Sequence, residues 1–145
     1  TRRRRAGAMN HYVLDACALI ALLQDEPGAD MVADAINAAN NGEAKIVMHK
    51  INFLEVYYDA YRSRGKEQAN LMAAEFGKLP VEINAEITDK IFVEAGRLKA
   101  SYKISLADSI ALAQTLISNG ELITSDHHEF EAIGSKEGIR LHWFR

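Results

Sequence analysis

HYVLDACALIALL, residues 11–23, is an apolar, β-rich run that stops on Asp15 and turns at once into a helical pattern. Tyr12, Val13 and Leu14 have the aromatic, β-branched and apolar character of a buried strand, and ALIALL that of a helix packed on it. The rest of the chain repeats the alternation. Pro27, after Asp25 and Glu26, suits a first helical position and predicts a helix to about residue 39, stopped by Asn40-Asn41-Gly42. KIVMH (45–49) predicts a second strand, followed by helices over 52–63 and 66–78 that Gly65 separates. After Pro80 comes a short strand at 81–83, then helices over 85–102 and from Ser105 to about 119. ELITS (121–125) predicts the fourth strand. IRLHWF (139–144), with Ile139, Leu141 and Trp143 on one face, predicts a half-buried edge strand. Strands alternating with helices require crossover connections, so the expected fold is α/β, a three-layer α/β/α sandwich with a mostly parallel sheet.

Composition narrows the function classes. The 145 residues are 48% hydrophobic and 26% charged, which excludes disorder and fits one domain over residues 9–145. The single cysteine, Cys17, rules out an internal disulfide framework and points to a reducing, cytoplasmic setting. The clean apolar run at 16–23 is too short to cross a bilayer, so no membrane association is expected. Of 17 Lys and Arg, four stand together as Arg2, Arg3, Arg4 and Arg5, and the remainder face 20 Asp and Glu. Residues 1–8, ahead of Met9, read as an appended remnant, a misplaced leader or a disordered arm, and carry no assigned role. No Walker A or dinucleotide glycine fingerprint is present.

Ligands of parallel sheets bind outside the carboxyl ends of the strands. Asp15 and Asp126 close the first and fourth strands and fall there. Helix capping and turn formation are the plain alternatives for these two acids. Glu55, four residues after Ile51 and three before Tyr58, sits on an apolar helical stripe. Asp108, the one charged residue between Lys103 and Glu121, matches a capping box with Ser105, yet lies among apolar neighbours. An ionised carboxylate in such company needs a partner. If these acids converge, each close pair repels by about 4 kcal/mol at 4 Å and an effective dielectric near 20. Protonation or a cation must then relieve them, and hard oxygen donors suit Mg2+ or Mn2+.

Asp15 in YVLDACALIALL, Glu55 in KINFLEVYYDAY, Asp108 in ISLADSIALAQ and Asp126 in LITSDHHEFE resemble the four acidic motifs of the PIN domain. The likeness runs from Met9 onward and is most specific in SLADSIALA and TSDHHEFE. Among PIN domains it is most similar to the VapC-type toxins of bacterial toxin–antitoxin pairs. The resemblance implies a parallel sheet between helical layers and an acidic pocket for Mg2+ or Mn2+. It also implies endonucleolytic cleavage of single-stranded RNA. Asp15, Glu55, Asp108 and Asp126 would be both the metal ligands and the catalytic residues, with Asn52, Ser105 and Ser125 as polar helpers. Where the family often has Thr or Ser beside the first acid, this chain has Ala16 and Cys17. A small antitoxin protein and a homodimer are the partners to expect.

The remaining chemistry-bearing residues have plainer readings. Glu129 is a candidate accessory acid. Cys17 reads as a small buried hydrophobe, and His127 and His128 as loop residues, since HHEF lacks the zinc-binding spacing. Tyr57, Tyr58 and Tyr61 read as packing or a protein interface, and Lys50, Arg62 and Lys103 as the basic side of a groove. The rivals are a PIN nuclease that is not a toxin, an Mg2+-dependent phosphatase or phosphotransfer protein, and a non-catalytic interaction module. A phosphatase of the haloacid-dehalogenase type would want D-x-D where Asp15 is followed by Ala16 and Cys17.

Overall fold

The computed structural model describes residues 9–145, and the arginine arm at 1–8 lies outside the described residues. In chain order the elements are β1 (Asn10–Leu14), α1 (Ala16–Leu23), α2 (Ala29–Asn40), β2 (Ala44–His49), α3 (Lys50–Arg64) and α4 (Lys66–Phe76). There follow β3 (Val81–Asn84), α5 (Asp89–Ser101), α6 (Leu106–Ser118), β4 (Glu121–Thr124), α7 (His127–Glu137) and β5 (Arg140–Trp143). The strands form one sheet in the order β3-β2-β1-β4-β5, and all four pairings are parallel. The expected α/β class holds, and the sheet is wholly parallel.

Side chains alternate across a strand, so neighbouring residues feed opposite cores. Val13 and Leu122 turn to one face, where α5, α6 and α7 supply Leu98, Leu112 and Phe130. Leu14 and Ile123 turn to the other, against Leu19, Val32, Val56 and Phe76 of α1 to α4. Each such side chain, fully buried, is worth about 1.5–3 kcal/mol. Helix α6 is buried from Ala107 to Thr115 except at Asp108, which is half-buried. That explains the all-round apolar character of SIALAQ.

The structure corrects three expectations. His127 and His128 are in the first turn of a helix, α7, and not in a loop. Asp126 caps that helix by accepting from the Glu129 amide at 3.2 Å, and Gly138 ends it in the left-handed region. The Asp126-x-x-Glu129 spacing and Phe130, Ile133 and Gly134 were its sequence signals. Pro27 is not a first helical residue: α2 starts at Ala29, after Asp25 and Gly28 take positive φ. Helix α5 starts at Asp89 rather than at residue 85, because Asn84 accepts from the Glu86 amide and Thr88 provides the cap.

Candidate active site

The strand order places β1 between β2 and β4, so chain crossovers leave in opposite directions from the β1–β4 pair. In such sheets the crevice at the carboxyl ends of that pair is where ligands bind. Asp15 follows β1 there and Asp126 follows β4. Glu55 reaches the same place from α3 and Asp108 from α6. All four acids line one cleft of about 400 Å3, together with Ala16, Cys17, Ile20, Asn52, Ser125 and Phe130. Among the described residues, no Lys or Arg lines it. Of the basic residues expected at a groove, Lys50 and Lys103 do not line it, and Arg62 is paired with Asp59 at 2.9 Å.

Capping and convergence turn out to be compatible. Asp15 is the N-cap of α1 and accepts from the Ala18 amide at 2.9 Å, yet it is only 6% exposed and faces the cleft. Ser105 caps α6 and accepts from the Asp108 amide at 3.0 Å, fixing the turn that carries Asp108. With Asp126 capping α7, three helix N-termini point their partial positive charge at the acids.

That charge does not settle the carboxylates. Burial pushes Asp15 up to about 6, against the hydrogen bonds of Cys17, Thr124 and Ala18, and the Asp108 charge adds to the rise. Glu55 is raised by burial first and then by Asp108 and Asp15. Asp108 is raised by burial first, with Asp126 pushing the same way. The cleft is therefore short of positive charge.

Cys17 packs against the core as the expected small hydrophobe, and it does more besides. It is half-buried, and its thiol donates to Asp15, with Sγ 3.0 Å from Oδ1 and 3.1 Å from Oδ2. Burial, then the Asp15 charge, pushes the thiol up to about 12, so it stays protonated and is no nucleophile. Thr124, which the sequence did not single out, is fully buried, and its Oγ1 lies 3.8 Å from the Cys17 sulfur. It is level with Asp15 because β1 and β4 are neighbours in register, and that pairing is invisible in the sequence. Ser125 donates to the Cys17 sulfur at 3.6 Å.

The expected helpers divide. Asn52 and Ser125 line the cleft, whereas Ser105 acts from below through Asp108. Glu129 is not a lining residue, and its amide rather than its carboxylate serves Asp126. Asn52 Nδ2 donates to the Ala107 carbonyl at 3.0 Å, tying α3 to α6, while its Oδ1 is buried without a partner. Among the described residues this acceptor has no partner, at a cost of about 1–3 kcal/mol.

These donors fit a hydrated hard cation. Among the described residues, no three His, Cys, Asp or Glu side chains stand close enough to enclose an ion by themselves. Mg2+ does not need such a cage, because it keeps several waters and takes one or two carboxylates directly. A larger groove of about 710 Å3, lined by Val93, Leu116 and Ile117, lies between α5, α6 and α7. Its Glu94 and Glu137 share Arg97, each at 2.8 Å, and Lys90 also lines it, so it has no comparable demand for a cation.

Known proteins share this architecture. VapBC2 from Rickettsia felis, solved with a DNA fragment from its promoter, superposes with a TM-score of 0.72 at 20% identity. That match covers 92% of this chain and 98% of the other. A toxin–antitoxin complex from Klebsiella pneumoniae gives 0.63 at 25% identity over 84% and 92% of the two chains. VapC20 of Mycobacterium tuberculosis, described as a sarcin–ricin loop cleaving toxin, gives 0.64 at 13% identity over 86% and 95%. Comparison with curated protein sequences finds no significant match. The PIN domain family model matches residues 12–136, from within β1 to the last turn of α7. The chain belongs to the PIN domain family.

Proposed function

We propose that this chain is an Mg2+- or Mn2+-dependent endoribonuclease that cuts single-stranded RNA, the toxin of a toxin–antitoxin pair in the cytoplasm. The observation that carries the reading is the convergence of Asp15, Glu55, Asp108 and Asp126 on one cleft that no Lys or Arg lines among the described residues. The PIN family membership and the toxin–antitoxin proteins among its fold neighbours support it. So does the description of one neighbour as a sarcin–ricin loop cleaving toxin.

In this mechanism Asp15, Asp108 and Asp126 would hold a hydrated cation, some of them through its waters, and Glu55 would complete the acidic ring. The cation, when bound, supplies Lewis acidity that makes water a nucleophile and offsets the charge of the phosphodiester. The chain's own residues provide position. The Ala18 amide and the Cys17 thiol fix the plane of the Asp15 carboxylate, and the Ser105 cap fixes Asp108. Asn52 ties α3, and with it Glu55, to α6. The reaction breaks a P–O bond by attack of water, and no side chain forms a covalent bond.

The antitoxin is a small protein that silences the cleft with a basic group presented to the acids. A homodimer contact is supported by the α3 face, where Leu54, Tyr58 and Tyr61 stand about half exposed at helical spacing. The test is cleavage of single-stranded RNA by the purified protein. Excess EDTA should abolish it, Mg2+ or Mn2+ should restore it, and Asp108→Asn should lower it by at least about 100-fold. Undiminished cleavage after exhaustive chelation would overturn the metal mechanism.

A further inference from the structure

The chain has one tryptophan, Trp143, the last residue of β5. Its register partner is Thr124, so the indole stands at the carboxyl edge of the sheet, beside the exit of β4. The imidazole of His127 lies flat on it, with ring centroids 3.8 Å apart and planes 16° from parallel. His127 Nε2 is also 2.8 Å from the main-chain oxygen of Arg145. The imidazole is thus held by two independent contacts. Its side chain nevertheless remains 48% exposed, because Trp143 covers only one face. The residue before it is Asp126, a wall of the acidic cleft.

We propose that the outer face of His127 is a nucleobase-stacking subsite, which takes an unpaired base of the RNA strand next to the phosphodiester in the cleft. This rests on the reading of the chain as an RNA nuclease. The surroundings select a base over a phosphate. Glu131 Oε2 lies 4.0 Å from His127 Nδ1. The adjoining Arg145 is spent on Glu26 at 3.5 Å and on the Pro27 carbonyl at 3.1 Å. A neutral aromatic plane suits such a place and a further anion does not. Stacking accepts any base, at about 1–3 kcal/mol for each, and needs only a ring held in a fixed plane. His127 and Trp143 supply that plane next to Asp126, so the stacked base would set where the strand lies relative to the acids.

Trp143 serves as the reporter. An unstructured single-stranded RNA of mixed sequence is titrated into the protein in EDTA, read by Trp143 fluorescence and by anisotropy of labelled RNA. The wild type should bind with a change in Trp143 emission. His127→Ala should weaken binding by about 5–150-fold, and His127→Phe, which keeps a stacking face, should stay within a few-fold of wild type. An abasic oligomer of the same length should bind wild type and His127→Ala alike. Equal RNA affinity of His127→Ala and wild type overturns the subsite, as does a difference that persists with the abasic strand. Either result leaves the nuclease reading standing if the wild type still cuts RNA in Mg2+. A wild type that neither binds nor cuts RNA overturns both. Loss of binding in His127→Phe as well as His127→Ala, with melting temperatures unchanged, also overturns stacking and shows that the imidazole edge is what is recognised.

Discussion

Asp15 caps a helix and carries a burdened charge in the same side chain, and the two roles separate under substitution. Asn is as good an N-cap as Asp, so Asp15→Asn keeps the Ala18 contact and removes the charge, with an NH2 in place of one of the two oxygens that face the Cys17 thiol. The wild-type acid has its folded pKa raised from 3.8 to about 6. The folded state therefore binds more protons than the unfolded state between those values, and stability falls as pH rises through that window. Two pKa units correspond to about 3 kcal/mol. In EDTA at pH 7.5, Asp15→Asn should melt above wild type by roughly 5–10 °C, and the difference should vanish near pH 4. A lower melting temperature at pH 7.5, read by scanning calorimetry, would show the acid to be a structural partner. At this scale the sequence was most readable, because carboxylates at strand ends and on apolar helix faces need a reason to be there. The engagement of Cys17 and Thr124 was not readable, since it depends on which strands lie side by side.

Among the elements, those flagged by strong periodicity were legible and those marked by capping alone were missed. Helix α7 has a weaker apolar face than α6, and its cap and stop residues were better guides than its hydrophobicity. The α1–α2 turn was misread because a proline signals a helix start only when the residues after it can follow. Here Gly28 has φ +90°, and a Cβ on it would strike the carbonyl oxygen of Phe144 and lie 2.7 Å from its ring carbon Cδ2. The turn thus holds the segment after β5, to which Arg145 adds its contacts with Glu26 and Pro27. Gly28→Ala should cost about 2 kcal/mol or more, a fall in melting temperature of roughly 5–10 °C. Gly42→Ala is the control. Its φ is +74°, but nothing lies within 4 Å of a Cβ there, so only the backbone strain remains. Equal losses in the two variants would show that the Phe144 contact is not tight.

For the whole molecule, alternating strands and helices indicated the parallel sheet, but not the strand order that makes Asp15 and Asp126 neighbours. Among the described residues no helix is long and apolar enough to cross a membrane. The toxin reading predicts that expression of this chain alone arrests bacterial growth and that Asp15→Asn relieves the arrest. It also predicts a dimer by light scattering and tight binding to a small basic-tailed protein. Normal growth beside abundant, active wild-type enzyme would leave a PIN nuclease that is not a toxin. The β1–β4 pair at the centre of the sheet also has a consequence in time. Cys17 and Thr124 touch across 107 residues of chain, and Asp126 comes later still. Synthesis from the N-terminus delivers Asp15 and Glu55 well before Asp108 and β4 exist to complete the cleft. A chain still on the ribosome therefore has no complete acidic cleft until translation has passed the fourth acid.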